Sequence, residues 1–270
     1  MKRFAFFALV FTIVFLSLGP FLWFVDTSLK TELEVTSVPP VVLPSFSLDF
    51  YASSIKNYNL LLYVKNSAIV AGSTTVITIF LSLLAGYSVA RLKLPGRDYI
   101  MKGLLMVSMF PQISIAGPVW RILYKLNYLN TYQGLVLPYV TLTLPLGVWV
   151  VASFFKQLPS ELEEAARVDG CGHLQTLVRI MLPLSAPGVF TAAILVFIYA
   201  WNEFFFALLI MTRKDVQTLP VGIAMFQGQY TLPWGEIAAA STVATVPLVV
   251  LVFLFQRRII SGLSAGALKG

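Results

Sequence analysis

The chain has 270 residues, of which 58% are hydrophobic and 11% charged, whereas soluble domains average about a quarter charged residues. This composition excludes an ordinary soluble protein and predicts one all-α integral membrane domain over residues 1–270. The net charge of +7 is spread over short segments between apolar stretches, so it indicates membrane orientation rather than nucleic-acid binding. One cysteine, Cys171, and one histidine, His173, exclude an internal disulfide and a metal cluster built from such residues.

Six apolar segments are long enough to cross a bilayer as helices. The first resembles a signal peptide, but it is too long for a signal-peptide core and no small-x-small cleavage site follows, so we predict an uncleaved span. The predicted spans are residues 4–25, 67–89, 103–124, 134–155, 188–211 and 237–255. Between the first two spans, a polar loop with several prolines and aromatic residues predicts a partly packed cap.

Proline interrupts the third and fourth predicted spans. Pro111 and the Gly117-Pro118 pair lie in the third span, and Pro138 and Pro145 lie in the fourth. Proline leaves a carbonyl unpaired and bends a helix, so bent helices are expected here. Bent helices suit a gated path through the membrane, but prolines also occur in rigid bundles, and both interpretations stay open.

The basic residues predict which side of the membrane each loop occupies. Six spans place both chain ends on one side, and 12 of the 19 Lys and Arg residues belong to that side. They are Lys2, Arg3, Arg91, Lys93, Arg97, Lys102, Lys156, Arg167, Arg179, Arg257, Arg258 and Lys269. Because cytoplasmic loops carry the excess of Lys and Arg, both termini are expected in the cytoplasm.

Residues 159–187, here named the elbow, form the longest polar interval on the expected cytoplasmic side. Ser160 with Glu163 fits a capping box, which predicts a helix start, and Gly170 and Gly172 predict its end. The apolar face of this first helix is expected at Leu162, Ala165 and Ala166. A second helix should follow, with an apolar face at Leu174, Leu177, Val178 and Met181.

Glu203 is the one clear ionisable candidate well inside a predicted span, where an unpaired charge is costly. With Asn202 it forms a polar patch near the middle of the fifth span. Either this patch lines a solute path, or Glu203 bonds a neighbouring helix or its own backbone, or it is protonated. The adjacent residues 204–206 are three phenylalanines that point in different directions on a helix, so packing or lipid contact is expected of them.

Residues typical of an ATPase or a catalytic site are missing from the sequence. No G-x-x-x-x-G-K-[ST] segment occurs, so the chain cannot build a phosphate-binding loop of that type. His173 has no Ser and Asp partners in a triad-like cluster. We therefore expect no enzymatic activity and no cofactor or metal bound by this chain itself.

The elbow resembles the EAA loop of the membrane subunits of bacterial ATP-binding-cassette (ABC) importers. The residues that match this pattern in order and spacing are Glu164, Ala165, Ala166, Gly170, Ile180, Leu182 and Pro183. The resemblance implies a six-span permease subunit with the type I ABC importer (MetI-like) fold, in which these residues couple the chain to an ATPase. A cation of the partner would pair with Glu164, and the small Ala165 and Ala166 would let the helix seat deeply.

Over nearly its whole length the chain resembles permease subunits of carbohydrate importers, in particular the MalG-like half of the maltose and trehalose type. This family implies a second, MalF-like permease subunit, two cytoplasmic ABC ATPase subunits that bind ATP and Mg²⁺, and an extracytoplasmic sugar-binding protein. It also implies the bacterial cytoplasmic (inner) membrane and alternating access driven by closure of the ATPase pair. Neither the sugar nor its contact with this subunit is fixed by the sequence.

Two further segments receive roles from the resemblance. The tail after the sixth span is rich in small residues and is expected to enter a crevice between the ATPase subunits, through Gly262, Ser264, Gly266 and Lys269. The outer loop, residues 212–234, is expected to contact the binding protein, through Pro220, Gly222, Phe226 and Tyr230. The alternatives are a disordered chain end and an ordinary connector.

Two other classes of membrane protein are weighed against the importer subunit. A secondary transporter or channel without an ATPase would show paired ionisable residues within spans and inverted repeats. A membrane enzyme would show polar side chains that converge within the bilayer. Neither pattern is evident in the sequence, and a transporter without an ATPase would leave the elbow without a purpose.

Overall fold

A computed structural model describes the backbone of residues 2–92, 94–226 and 232–267, and the side chains of these ranges except residues 2–3, 5 and 257–267. Throughout the described ranges the secondary structure is helical. In chain order the elements are α1 (Lys2–Ser28), α2 (Glu32–Thr36), α3 (Asp49–Tyr58), α4 (Leu60–Arg91), α5 (Arg97–Ser108), α6 (Gln112–Lys125), α7 (Tyr132–Gln157), α8 (Glu161–Val168), α9 (His173–Thr176), a π-helical segment (Leu177–Met181), α10 (Leu182–Leu184), α11 (Ala186–Asn202), α12 (Phe205–Ile210), α13 (Leu219–Ala224) and α14 (Trp234–Ala267).

Four helices are individually long and apolar enough to cross a membrane: most of α1, all of α4 and α7, and Trp234–Gln256 of α14. Two further candidates are bent pairs. Helices α5 and α6 meet at 92°, and His173–Leu184 meets α11 at 83°. If each bent pair is one span, the described residues contain six, which agrees with the number that the hydropathy pattern predicts.

The third and fifth predicted spans are not continuous helices. The third is interrupted just before α6, where Pro111 precedes the first helical residue, and the fifth is interrupted between α11 and α12. In contrast, α7 contains Pro138 and Pro145 and is one unbroken helix. The break expected from proline therefore occurs at Pro111, whereas the prolines of α7 do not interrupt it.

The chain packs as two compact units, Met1–Val64 with Leu219–Leu248 and Lys65–Thr218 with Val249–Gly270. In the first unit, α3 packs closely on the start of α14. A Cβ atom at Gly235 would lie 2.2 Å from the ring of Phe50, so only glycine allows this approach. The hydroxyl of Ser53 donates to the carboxylate of Glu236 at 2.9 Å, and that of Ser54 donates to the Glu236 carbonyl at 3.2 Å.

In the second unit, α7 lies against α4 at two close approaches. A Cβ atom at Gly147 would lie 2.4 Å from the hydroxyl of Ser82, and one at Gly86 would lie 3.1 Å from Val151. A buried cluster extends from this contact toward the elbow; it contains Tyr87, Val150, Val151, Phe155, Leu177, Met181 and Ala192. The core therefore joins residues of the elbow to residues of α4, α7 and α11.

Candidate functional site

The first helix of the elbow, α8, begins without the predicted capping box. The Ser160 side chain makes no capping bond, and the Ser160 carbonyl accepts the N–H groups of Glu163 and Glu164 at 3.0 and 3.2 Å. The capping-box prediction is wrong because the Glu163 carboxylate faces an arginine of α4 instead of the helix start. Three carboxylates in the first turn still favour the positive end of the helix dipole, and α8 covers the predicted residues.

Helix α8 ends in a Schellman motif at Gly170. The N–H of Gly170 donates to the carbonyl of Arg167 at 3.0 Å, and the N–H of Cys171 donates to that of Ala166 at 2.9 Å. Gly170 has a φ of +80°, in the left-handed region that favours glycine. No atom lies within 4 Å of the position of a Cβ, so glycine is favoured here by backbone conformation alone.

Arg91, the last residue of α4, connects α8 to the C-terminal ends of α4 and α7. Its Nη2 donates to the carbonyls of Phe155 and Leu158 at the end of α7. Its Nε lies 3.3 Å from a carboxylate oxygen of Glu163, an ion-pair distance, with the two side chains only 10% and 8% exposed. This pair was not predicted, because an arginine at a span end and a glutamate in a later loop are too common in sequences to indicate a contact.

The second part of the elbow presents a different apolar face from the predicted one. Leu177 and Met181 are buried in the core, but Leu174 and Val178 are 64% and 53% exposed. The reason is the π-helical segment, in which the N–H of Leu182 bonds the carbonyl five residues back, at Leu177. The wider turn shifts the register, so a spacing of three and four residues no longer marks one face.

The residues that the resemblance assigns to ATPase coupling differ in their solvent exposure. Glu164, Ala165, Gly170 and Pro183 are exposed, Ile180 and Leu182 are half-buried, and Ala166 is buried. Ala166 lies one turn from Glu163 on the inward face of α8, so its expected seating in a partner groove is contradicted. Ala165, expected on the apolar face, lies outward and stands beside Glu164 on the surface open to a partner.

Glu203 lies in the break between α11 and α12 and caps the second of these helices. One carboxylate oxygen accepts the N–H of Phe206 at 2.9 Å; the other accepts the N–H of Ala207 at 3.2 Å and the hydroxyl of Tyr139. The break leaves the first N–H groups of α12 without helical partners within the predicted fifth span, and unpaired donors are costly in an apolar environment. The structure thus shows Glu203 bonded to its own backbone and to a neighbouring helix, one of the alternatives that the sequence left open.

Asn202 and Glu203 do not form one patch. The Glu203 side chain is 8% exposed, whereas Asn202 is exposed and its Nδ2 donates to the carbonyl of Ile198 at 2.8 Å. Consecutive residues at a helix end point in different directions, so only Asn202 reaches the surface. A role of either residue in a solute path stays a prediction.

The beginning of the outer loop is held by Asn66, close to the predicted start of the second span. Its Nδ2 donates to the carbonyls of Asp215 and Gln217 at 3.1 and 2.9 Å, and its Oδ1 accepts the hydroxyl of Tyr132 at 2.7 Å. The Arg213 guanidinium hydrogen-bonds the Asp215 carboxylate and holds the pKa of that carboxyl below its ordinary value. This part of the loop is therefore ordered by a buried amide.

The residues expected to contact a binding protein are mostly packed within the chain. Phe226 is 3% exposed and stacks on Tyr58 with ring centres 4.3 Å apart. Gly222 is buried, Pro220 is half-buried, and Tyr230 lies outside the described residues. The expectation that Phe226 anchors a partner is contradicted in this conformation, because its ring is already covered. Contact of the loop as a whole with a binding protein stays a prediction.

The expected tail continues a helix. The backbone of α14 is helical through Ala267, which includes Gly262, Ser264 and Gly266, whereas the sequence predicted a span that ends near residue 255. Side chains beyond residue 256, and Lys269 altogether, lie outside the described residues, so the ATPase contact stays a prediction. Among the described residues no group of three His, Cys, Asp or Glu side chains could hold a metal ion.

Interrupted apolar helices and a short elbow that packs into the helical core agree with a family of transport proteins. Residues 78–264 match the family described as binding-protein-dependent transport system inner membrane component. The chain therefore belongs to this family of ABC importer permease subunits of the inner membrane. The match confirms the family and fold class that the elbow resemblance indicated, and it does not support a secondary transporter or channel.

Several relatives in this family are similar over almost their full length. The trehalose/maltose transport system permease protein MalG of Thermococcus litoralis is 46% identical over 94% of this chain and 92% of the relative. The sulfoquinovosyl glycerol transport system permease protein SmoH of Agrobacterium fabrum is 43% identical over 94% and 89%. The trehalose transport system permease protein SugB of Mycobacterium tuberculosis is 40% identical over 94% and 93%.

Solved structures support the fold. A chain of a bacterial ABC transporter involved in import of the acidic polysaccharide alginate matches with a TM-score of 0.81 over 95% of both chains. A second alginate transporter structure, in complex with a pentasaccharide-bound periplasmic protein, matches with a TM-score of 0.70 over 94% of this chain and 93% of that one. At 17% and 14% identity, the likeness concerns the fold alone.

Proposed function

We propose that this protein forms half of the translocation path of an ATP-driven importer for a di- or oligosaccharide such as maltose or trehalose. Relatives named for trehalose and maltose transport support this class of solute. The observation that carries the mechanism is the position of Arg91. One buried guanidinium joins the exposed helix α8 to the ends of α4 and α7.

The proposed complex contains a second, MalF-like permease subunit, two cytoplasmic ABC ATPase subunits and an extracytoplasmic sugar-binding protein. The ATPase subunits bind ATP and Mg²⁺, and this chain contributes no catalytic site. The dependence on a binding protein in the family description supports the external partner, as does a structural neighbour described in complex with a periplasmic protein.

In this proposal Glu164 and Ala165 form the surface that an ATPase subunit contacts. The carboxylate pairs with a cation of the partner, and the small side chain beside it permits close approach. Closure of the ATPase pair displaces α8, and Arg91 passes the displacement to α4 and α7. Leu177 and Met181 carry it into the core, because close-packed helices move as bodies rather than deform.

The orientation follows from the distribution of Lys and Arg. Both termini and the elbow lie in the cytoplasm, and the outer loop faces the binding protein. In the same arrangement the C-terminal tail reaches the ATPase pair. The fixed start of the outer loop at Asn66 supports its role, because a docking surface on an ordered anchor loses less conformational entropy on contact.

Reconstitution with one component omitted at a time tests the proposed function. We expect ATP-driven uptake of maltose or trehalose into proteoliposomes when both permease subunits, the ATPase and the sugar-loaded binding protein are present. Omission of this chain, or of the binding protein, should abolish uptake and the binding-protein stimulation of ATP turnover. Uptake without ATP, or uptake that survives omission of the binding protein, would contradict the proposal.

A further inference from the structure

Two broken helix pairs of the second unit bring uncharged polar side chains together within the predicted third and fifth spans. Gln112 is the first residue of α6, directly after the break, and Tyr199 and Asn202 lie on the last turn of α11. Tyr199 and Asn202 are three residues apart and so share one face of the helix. The Nε2 of Gln112 donates to the Tyr199 hydroxyl at 2.6 Å. We name these three residues the break strip.

The break strip has unused hydrogen-bonding atoms. Tyr199 accepts a bond from Gln112 and keeps its O–H free to donate, and Gln112 keeps its Oε1 free to accept. Asn202 uses its Nδ2 on the carbonyl of Ile198, and its Oδ1 has no partner among the described residues. Gln112 and Tyr199 are half-buried and Asn202 is exposed, so the strip is partly open at the surface of the chain. Lipid tails cannot satisfy amide and phenol groups, so the strip must meet another polar group.

Two exposed hydroxyl residues of the same unit differ from the strip in this respect. The hydroxyls of Thr141 and Ser153, both exposed on α7, donate to carbonyls four residues back at 3.0 and 2.7 Å. Each of these hydroxyls uses its one donor hydrogen within its own helix, so it has no hydrogen left to donate to a ligand. The break strip instead combines two amides and a phenol from two helices, and the Gln112–Tyr199 hydrogen bond links those helices.

The unused hydrogen-bond donors and acceptors of the strip match hydroxyl groups of a ligand better than charged groups. None of its three members carries a charge at neutral pH. The nearest cation on α6 is Arg121, nine residues further on, which is about 14 Å along the helix axis. A sugar hydroxyl both donates and accepts hydrogen bonds. It can therefore donate a hydrogen bond to an amide oxygen of the strip and accept one from the hydroxyl of Tyr199.

We propose that Gln112, Tyr199 and Asn202 contact the solute as it passes and recognise hydroxyl groups of a carbohydrate. The inference rests on the proposed import function and adds the residues that set its selectivity. Glu203, directly after α11, caps α12 through the N–H groups of Phe206 and Ala207, so the break beside the strip is stabilised within the chain. The alternative occupant is a polar group of the second permease subunit.

The substitution Tyr199→Phe tests the proposal, because it removes one hydroxyl and little else. Uptake by the complete reconstituted complex is measured for maltose or trehalose and for a series of single-deoxy analogues, below saturation and with the same binding protein. The ratio of variant to wild-type uptake is compared across the series, so the preference of the binding protein cancels. We expect the variant to transport the parent sugar about 3- to 10-fold more slowly, the factor typical of one hydrogen bond. The ratio should return to near unity for the analogue that lacks the contacted hydroxyl.

Two further variants sharpen this experiment. Gln112→Leu should give the same pattern with a different analogue of the series, whereas Tyr124→Phe, an exposed tyrosine near the far end of α6, should leave all ratios near unity. If Tyr199→Phe lowered uptake of every analogue by the same factor, the inference would be overturned. A contact with the second permease subunit, or a purely structural role, would have this uniform effect. Unchanged uptake by Tyr199→Phe would also overturn it. A wild-type complex without binding-protein-dependent uptake would instead overturn the proposed function, and this inference with it.

Discussion

The carboxylate of Glu203 shows how a membrane span can be broken at low cost. It accepts two backbone N–H groups and one phenol, so two of the donors at the start of α12 are satisfied within the protein. A lone acidic residue in an apolar segment is visible in the sequence. Its partners are not, because Tyr139 lies on a different span and the break itself leaves the apolar composition unchanged.

The first prediction concerns the stability contributed by this cap. Glu203→Ala leaves three buried donors without acceptors, and each costs about 1–3 kcal/mol, so we expect a loss of at least about 3 kcal/mol. Glu203→Gln keeps one side-chain oxygen and should lose less. The measurement is the midpoint of thermal unfolding of the purified subunit complex in detergent. Asn202→Ala serves as the control, and equal midpoints for Glu203→Ala and Asn202→Ala would contradict the account.

At the scale of elements, the sequence located the elbow closely but not its internal contacts. The glycines at 170 and 172 and the apolar periodicity from Leu174 predicted a helix, a turn and a second helix, all of which the structure contains. The start of α8 was assigned to a capping box, because local rules cannot see that Arg91 attracts the carboxylate of Glu163. A tertiary charge pair overrode a local hydrogen bond.

The continuity of helices was the least predictable property. Hydropathy reports how much apolar surface a segment offers, and this does not change when the segment is broken between α5 and α6 or between α11 and α12. Proline was an incomplete guide, since α7 accommodates Pro138 and Pro145 without interruption. The π-helical turn at Leu177–Met181 has no sequence signal of its own, and it changed which residues face the core.

The turn of the elbow gives a second prediction. At Gly170 the φ of +80° disfavours β-branched residues strongly, while asparagine tolerates the left-handed region. Because no atom lies within 4 Å of a Cβ there, size alone should matter little. We expect Gly170→Val to destabilise the turn by about 1–2 kcal/mol and to lower uptake, while Gly170→Asn retains most uptake. Equal uptake by both variants at equal expression would show that the conformation of this turn is not needed.

At the scale of the whole molecule, composition and charge predicted six membrane-crossing segments, and the described residues contain four continuous and two bent candidates. The number agrees if each bent pair is one span, because the bilayer requires apolar length and satisfied backbone groups whatever the details of packing. The prediction of partner contacts failed for Phe226 in the outer loop, because this part of the loop packs back onto the chain. Phe226 was assigned to a partner but stacks on Tyr58, since an exposed aromatic and a buried one look alike in sequence.

A third prediction concerns the end of the chain. Deletion of residues 263–270 should leave membrane insertion intact, because the spans are complete before this point, and should weaken association with the ATPase subunits. Co-purification of the ATPase with the truncated permease is the measurement, with ATP turnover of the complex beside it. Wild-type values of both would show that the tail is dispensable and that the elbow alone makes the contact.

The central claim is that α8 transmits ATPase closure to the spans, and charge reversal at its exposed face tests it most directly. The matched pair is Glu164→Lys in the elbow and Asp98→Lys at the start of α5, an aspartate side chain that is 77% exposed. Reversal of a charge-assisted contact removes about 1.5–3 kcal/mol or more, so we expect Glu164→Lys to lower binding-protein-stimulated ATP turnover and sugar uptake at least tenfold. Asp98→Lys should keep both near wild type. Normal uptake by Glu164→Lys in a complex of normal composition would contradict the account.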